Sequence, residues 1–126
     1  MSSPGASGLQ TSSSGSGIDN RPPAPKNAEL EMVVEGRSFL CRDGTIIGAE
    51  SNFASEVFQH VHGLESRHAL LGIEDGYWFI LTPRNVKHPF RLDGTSLPRG
   101  QRRPLDRVRH HVEFDSLRLG LRLRPK

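Results

Sequence analysis

The sequence predicts an all-β domain, a sandwich or barrel of short strands, behind a disordered N-terminal tail. Apolar and polar residues alternate with a period of two in most segments after residue 28. Asp-Gly pairs separate those segments at short intervals, and Asp-Gly between apolar runs is a strong hairpin signal. Helical spacing is confined to "NFASEVFQHV", residues 52–61, enough for a turn or two, which argues against a βαβ architecture.

Residues 1–17 are almost wholly Ser, Gly and other small or polar residues, and the Pro-rich "DNRPPAPKN" follows. Such a stretch buries too little apolar surface to offset its ordering entropy, so residues 1–28 are expected to be flexible. The globular part then spans 29–126, roughly 95–98 residues, enough for one modest core. Its first strand, "ELEMVVEG", sets Leu30, Met32 and Val34 against Glu29, Glu31 and Glu35. "RSFLC" and "TIIG" flank Arg42-Asp43-Gly44, "HALLGI" and "YWFIL" flank Glu74-Asp75-Gly76, and "PFRL" and "TSL" flank Asp93-Gly94. Each is expected to be a hairpin. "DRVRHHVEF" places Val108, His110, Val112 and Phe114 on one face. The cleanest strand is "LRLGLRLR", with Leu117, Leu119, Leu121 and Leu123 on one side and Arg118, Arg122 and Arg124 on the other. The expected core comprises Leu30, Met32, Phe39, Ile47, Leu70, Trp78, Ile80, Val112, Phe114, Leu119 and Leu121.

Charge is unevenly spread. Residues 1–93 carry eight basic and eleven acidic side chains, whereas residues 94–126 carry nine basic and three acidic ones. The arginine-rich "PRGQRRPLDRVRHH" could meet phosphate, but no aromatic side chains interleave its arginines to stack bases, so nucleic acid is a poor fit. A solvated face of arginines is the expected reading. The single cysteine, Cys41, allows no intramolecular disulfide and suggests a reducing, cytoplasmic setting. No apolar run reaches the roughly 18 residues of a membrane span, and no apolar leader segment opens the chain. The chain could still be the cytoplasmic part of a larger assembly.

Enzymatic motifs are weak. His60 and His62 are two apart and His110 and His111 adjacent, but neither a Cys pair nor an H-E-x-x-H spacing accompanies them, so no metal site is expected. Ser66 and His68, with Glu74 or Asp75, lack the elbow that exposes a nucleophile. Glycine-rich nucleotide fingerprints are missing, since Gly5, Gly8, Gly15 and Gly17 lie in the tail. No catalytic residue and no cofactor is expected.

Taken in order, "GTIIGAE", "LESRHALL", "YWFIL", "RLDGTSL" and "DRVRHHVEF" resemble the forkhead-associated (FHA) domain over about residues 29–124. The resemblance implies a two-sheet β-sandwich whose loops at one end bind phosphothreonine peptides. In that family an Arg after Gly and the Ser of S-R-x-H contact phosphate, an Asn of N-G contacts the peptide backbone, and the His braces the loop. Here Gly48 matches the early Gly, but Ala49 stands in place of the Arg and Glu50 follows it. His68 matches the bracing His. Counting back three residues from it gives Glu65 rather than Ser, and deleting one loop residue instead brings Ser66 and Arg67 into register. Asn85 lies near the position of the family's Asn, but Val86 rather than Gly follows it, and Asp93-Gly94 stands for the later N-G.

The implied phosphopeptide-binding residues are therefore Ser66 and Arg67 on phosphate, helped by Arg84, and Asn85 on the peptide, with Gly48 and His68 as structural braces. Losing a charge-assisted pair at Ala49 forfeits about 1.5–3 kcal/mol, and a carboxylate at Glu65 opposes phosphate. Arg67, Arg84 or Lys87 would have to compensate. The expected function is a non-enzymatic protein-interaction module in signalling or assembly; the alternative is a degenerate scaffold that binds an unphosphorylated partner. Thr11 in the tail is a tethered candidate ligand if phosphorylated.

Overall fold

The structure is a computed structural model that describes residues 20–126. Thr11 and most of the expected tail lie outside the described residues. Two antiparallel sheets face each other. The larger contains β1 (Glu29–Val34), β2 (Arg37–Cys41), β6 (Arg91–Leu92), β7 (Thr95–Ser96), β9 (Arg109–Phe114) and β10 (Leu117–Arg124), in the order β2-β1-β10-β9-β6-β7. The smaller runs β3 (Thr45–Ile47), β4 (Ala69–Glu74), β5 (Tyr77–Leu81) and β8 (Arg102–Pro104), in that order. Pro104 sits on an edge strand, where its missing N–H breaks no ladder. The one helical turn, α1 (Ser55–Phe58), falls inside the expected segment and buries Val57 and Phe58.

The period of two becomes the core. In β10, Leu117, Leu119, Leu121 and Leu123 are buried and the intervening arginines exposed. They meet Leu30, Met32 and Val34 of β1, and Ile47, Leu71, Trp78 and Ile80 of the opposite sheet share the same buried cluster. Leu70 departs from expectation: the β4–β5 register turns Ala69 and Leu71 inward and leaves Leu70 half-buried on the other face. Phe39 and Phe114 are also half-buried, packed against the core margin.

The second and third expected hairpins form. Asp75 and Gly76, and Asp93 and Gly94, have positive φ at both central positions, the type I′ requirement. The first does not form. At Asp43-Gly44 only the glycine has positive φ, and the chain crosses from β2 in one sheet to β3 in the other. Asp43 instead accepts the Ile73 N–H at 2.9 Å, and Gly44 N–H donates to the Leu71 carbonyl. The partner of β2 is β1, joined through Glu35-Gly36, also at positive φ.

The Pro-rich run before β1, which composition assigns to the flexible tail, is fastened to the sandwich. Ala24 N–H donates to the Asp106 carbonyl, Pro22 accepts from Val108, Asn27 N–H reaches Gly76, and the Trp78 indole N–H donates to Ala28. Arg21 bonds Asp93 at 3.0 Å. Asp93 also accepts the His111 N–H at 2.9 Å and pairs with His110 Nδ1 at 2.7 Å. Burial alone would raise the Asp93 carboxyl, but the His111 N–H, His110 and Arg21 outweigh it and hold it below its usual value. Pro22 thus takes part in a strap, because a proline lacks the N–H but its carbonyl still accepts.

Candidate functional site

Register defines one end of the sandwich. Ile47 pairs with Ala69 and Leu70 with Leu81, so the loops 48–54, 62–68 and 82–90 all leave the smaller sheet at the same end. His68 lies at their centre. It is almost fully buried, stacked on Phe90 with ring centroids 4.5 Å apart and edge-on to Phe114 at 4.6 Å. Its Nδ1 accepts the Glu65 N–H at 3.1 Å, and its Nε2 lies 2.7 Å from the His88 carbonyl. A peptide N–H only donates and a carbonyl only accepts, so these partners assign a neutral ring with its proton on Nε2.

Burial depresses the His68 pKa below its ordinary 6.5, outweighing the His88 carbonyl and the Glu65 charge that favour protonation. The unfolded chain thus takes up a proton at a pH where the fold still refuses it. Folding stability is expected to be level above about pH 7 and to fall as pH drops through 6.5 towards the lower folded value. Urea unfolding between pH 8 and 5 checks this, and the His68 share of the slope should disappear in His68→Gln.

Two further groups fix the loops. Glu65 turns its carboxylate onto the Lys87 N–H at 2.6 Å, which ties loop 62–68 to loop 82–90. Arg99 donates Nε to the Val86 carbonyl and Nη2 to the Lys87 carbonyl, at 2.6 Å for the latter. Below, Ala49 N–H donates to Glu65, His68 N–H donates to Ile47, and Gly48 packs directly under the Ser66–Arg67 backbone. A Cβ on Gly48 would stand 2.0 Å from the Ser66 oxygen, so only glycine allows this approach.

Against this frame, Ser66, Arg67, Arg84 and Asn85 are exposed, and no side-chain hydrogen bond or ion pair engages them among the described residues. Ser66 and Arg67 follow Glu65 on one loop, and Arg84 and Asn85 precede the Lys87 N–H that Glu65 holds on the other. The donors of a hydroxyl, two guanidinium groups and a carboxamide suit an anion with further acceptors. His68 cannot serve Ser66 as a base, because both its ring nitrogens are committed to backbone groups. Asp75 is in the turn at the opposite end of β4. Among the described residues no three His, Cys, Asp or Glu side chains gather as metal ligands.

Sequence reasoning missed Glu65 as a latch and Arg99 as a clamp. Both act across long sequence separations, 22 and 13 residues, and neither leaves a local signal. The arginine-rich 98–111 segment is also largely internal in its work. Besides Arg99, Arg102 pairs with Glu74 at 2.7 Å and lies over the Phe79 ring, and Arg107 donates to the Arg21 carbonyl.

No protein-family model and no curated protein matches the chain. Solved structures do. One, from a study of phosphothreonine-dependent FHA domain interactions, has a TM-score of 0.62 at 15% identity, covering 78% of this chain and 99% of that one. The FHA-1 domain of Rv1747 from Mycobacterium tuberculosis has a TM-score of 0.58 at 17% identity, covering 78% and 98%. EmbR from the same organism, in complex with a low affinity phosphopeptide, has a TM-score of 0.63 at 12% identity, covering 79% of this chain and 25% of that one. Likeness at such identities is likeness of fold, and it agrees with the order of strands and loops built above: the chain is a divergent FHA-like β-sandwich.

Proposed function

We propose that residues 29–126 form a protein-interaction module without catalytic activity, and that its loops 62–68 and 82–90 take an anionic peptide, a phosphothreonine peptide above all. The observation that carries this is the contrast within those loops. Their backbones are bound to Glu65, His68 and Arg99, while Ser66, Arg67, Arg84 and Asn85 keep their donors free for a ligand. Loops ordered in advance lose little entropy on binding. Ser66 and Arg67 are assigned to phosphate, Arg84 to added positive charge and Asn85 to the peptide backbone. The Glu65 carboxylate, which would oppose phosphate if it faced outward, is half-buried on Lys87 N–H. Similar folds are described with phosphothreonine-dependent interactions and with a bound phosphopeptide. A reducing, cytoplasmic setting suits Cys41, a buried thiol pushed up to about 12 by desolvation and so kept protonated.

A second reading rests on the same latch. Ala49 supplies no guanidinium, and Glu65 already provides an anion to the Lys87 N–H, so the loops need no phosphate to be ordered. That favours a scaffold for an unphosphorylated partner. Fluorescence anisotropy with a degenerate phosphothreonine peptide pool separates the two. Arg67→Ala and Ser66→Ala should each weaken a charge-assisted contact by about 1.5–3 kcal/mol, roughly 10- to 150-fold in Kd. Equal binding of the unphosphorylated pool, unchanged in both variants, would favour the scaffold.

A further inference from the structure

The edge of a β-sheet exposes backbone N–H and C=O groups that another strand can take, and folds blunt such edges with short strands, proline or a covering segment. Here the edges are β2 and β7 in the larger sheet and β3 and β8 in the smaller. Three are blunted. β7 has two residues, and β8 has three with Pro104 among them. β3 also has three, and Ser51 of the following loop donates its hydroxyl to the Ile46 carbonyl at 2.6 Å. β2 has five residues, Arg37–Cys41, and contains neither proline nor lysine.

The ladder fixes which groups of β2 are open. β1 and β2 are joined by the two-residue turn Glu35-Gly36, both at positive φ, which closes on the bonded pair of Val34 and Arg37. Bonded and non-bonded pairs alternate from there. Arg37, Phe39 and Cys41 therefore bond β1, while Ser38 and Leu40 turn their N–H and C=O away from it. Among the described residues no hydrogen bond reaches those groups. Both residues are exposed, Leu40 at 59%. On the inner side Arg37 pairs with Glu56 at 3.7 Å and lies over the Phe39 ring, which meets Phe53 edge-on. These contacts hold the strand while its outer edge stays bare.

We propose that β2 is a dimer edge: it pairs antiparallel with β2 of a second copy across a twofold axis, joining the two larger sheets into one. The strand is complementary to itself in that register. Centred on Phe39, the pairing sets Ser38 opposite the second copy's Leu40 and Leu40 opposite its Ser38. Both are bonded pairs, so every open N–H meets an open C=O. A shift of two residues either way would bond only one of them to its like and leave the other facing Gly36 or Arg42. Arg37 falls opposite Cys41, so no like charges face each other. Phe39 meets its counterpart as the closely spaced, non-bonded pair that favours aromatic contact. A strand of other sequence would share only the hydrogen bonds, whereas a second copy supplies register and charge as well.

β2 starts at the end that carries loops 62–68 and 82–90, where Val34 pairs with Leu119 and Phe114 meets His68. Antiparallel copies point those loops in opposite directions, so the dimer links two peptide-bearing partners rather than clasping one. That consequence rests on the proposed peptide site; the pairing does not. An edge of five residues buries less than the roughly 1,200 Å² of a standard interface, so a dissociation constant on the order of 100 µM is expected.

Sedimentation velocity of the full chain should show mostly monomer at about 10 µM and mostly dimer at about 1 mM. Amide exchange at Ser38 and Leu40 should slow at least threefold between the two conditions. Leu40→Pro removes an outward N–H that bonds nothing in the monomer, and an edge position of this kind tolerates proline. Leu40→Lys leaves the backbone intact and sets two like charges diagonally across the twofold. Each should weaken self-association at least tenfold with Tm within a few degrees of the parent's. A monomer at both concentrations, undiminished association in a folded variant, or no slowing at Ser38 and Leu40 overturns the inference. So does slowing that appears only when an unrelated extended peptide, a Thr-Val repeat, is added, which would make the edge a partner strand's site.

Discussion

His68→Ala is expected to lower folding stability by about 3–5 kcal/mol, the range for emptying a buried aromatic site. Two losses combine. The ring leaves a void between Phe90 and Phe114, whose centroids lie 4.5 Å and 4.6 Å from it. It also leaves the Glu65 N–H and the His88 carbonyl without partners, each costing about 1–3 kcal/mol where water cannot replace the ring. For a domain of this size each kcal/mol is worth roughly 4–8 °C in Tm, so differential scanning calorimetry should see a large drop. His68→Phe separates the two losses, since it restores most of the volume and neither hydrogen bond. A change below about 1 kcal/mol in His68→Ala would mean that other contacts hold the loops.

Gly48→Ala is the second large effect, expected near 2–3 kcal/mol from overpacking. The added Cβ would fall 2.0 Å from the Ser66 oxygen, 2.6 Å from its carbonyl carbon and 3.0 Å from Arg67 Cα. All three are backbone atoms, which cannot rotate away as a side-chain end would. Gly48 is not at positive φ, so alanine suffers no backbone penalty there and would ordinarily stabilise by restricting the unfolded chain. The loss therefore reports one contact. Amide shifts should concentrate at Ala49 and at residues 65–68, and peptide binding should weaken although no donor has been removed. Urea unfolding beside a heteronuclear NMR spectrum measures both effects.

Much of the sandwich was legible because its signals are local. Alternation in "LRLGLRLR" is the burial pattern of β10, and Asp75-Gly76 and Asp93-Gly94 carry the conformations that their residue types favour. Asp43-Gly44 has the same letters but a different role, because turn chemistry does not say which sheet the next strand joins. What decides there is Asp43 meeting the Ile73 N–H, 30 residues away. The choice between Leu70 and Leu71 failed for a related reason: in a run of apolar residues the inward parity is set by pairing with Ile80, not by composition. At the candidate site, Gly48 and His68 could be read from their resemblance to a known pattern. Glu65 could not. Its charge argued for repulsion, whereas its contact with the Lys87 N–H makes it an internal bond. The arginines of residues 98–111 read as a solvated face, and Arg99, Arg102 and Arg109 are exposed; no local signal shows that Arg99 and Arg102 also hold neighbouring segments.

The central claim is that loops held from within present Ser66, Arg67, Arg84 and Asn85 to an anionic peptide. Its most direct test is an NMR titration of the chain with a degenerate phosphothreonine peptide pool and with the same pool unphosphorylated. Phosphate-dependent shifts confined to residues 48–50, 64–68 and 84–87 are the predicted result. Shifts that ignore the phosphate, or that fall elsewhere on the sandwich, would contradict it.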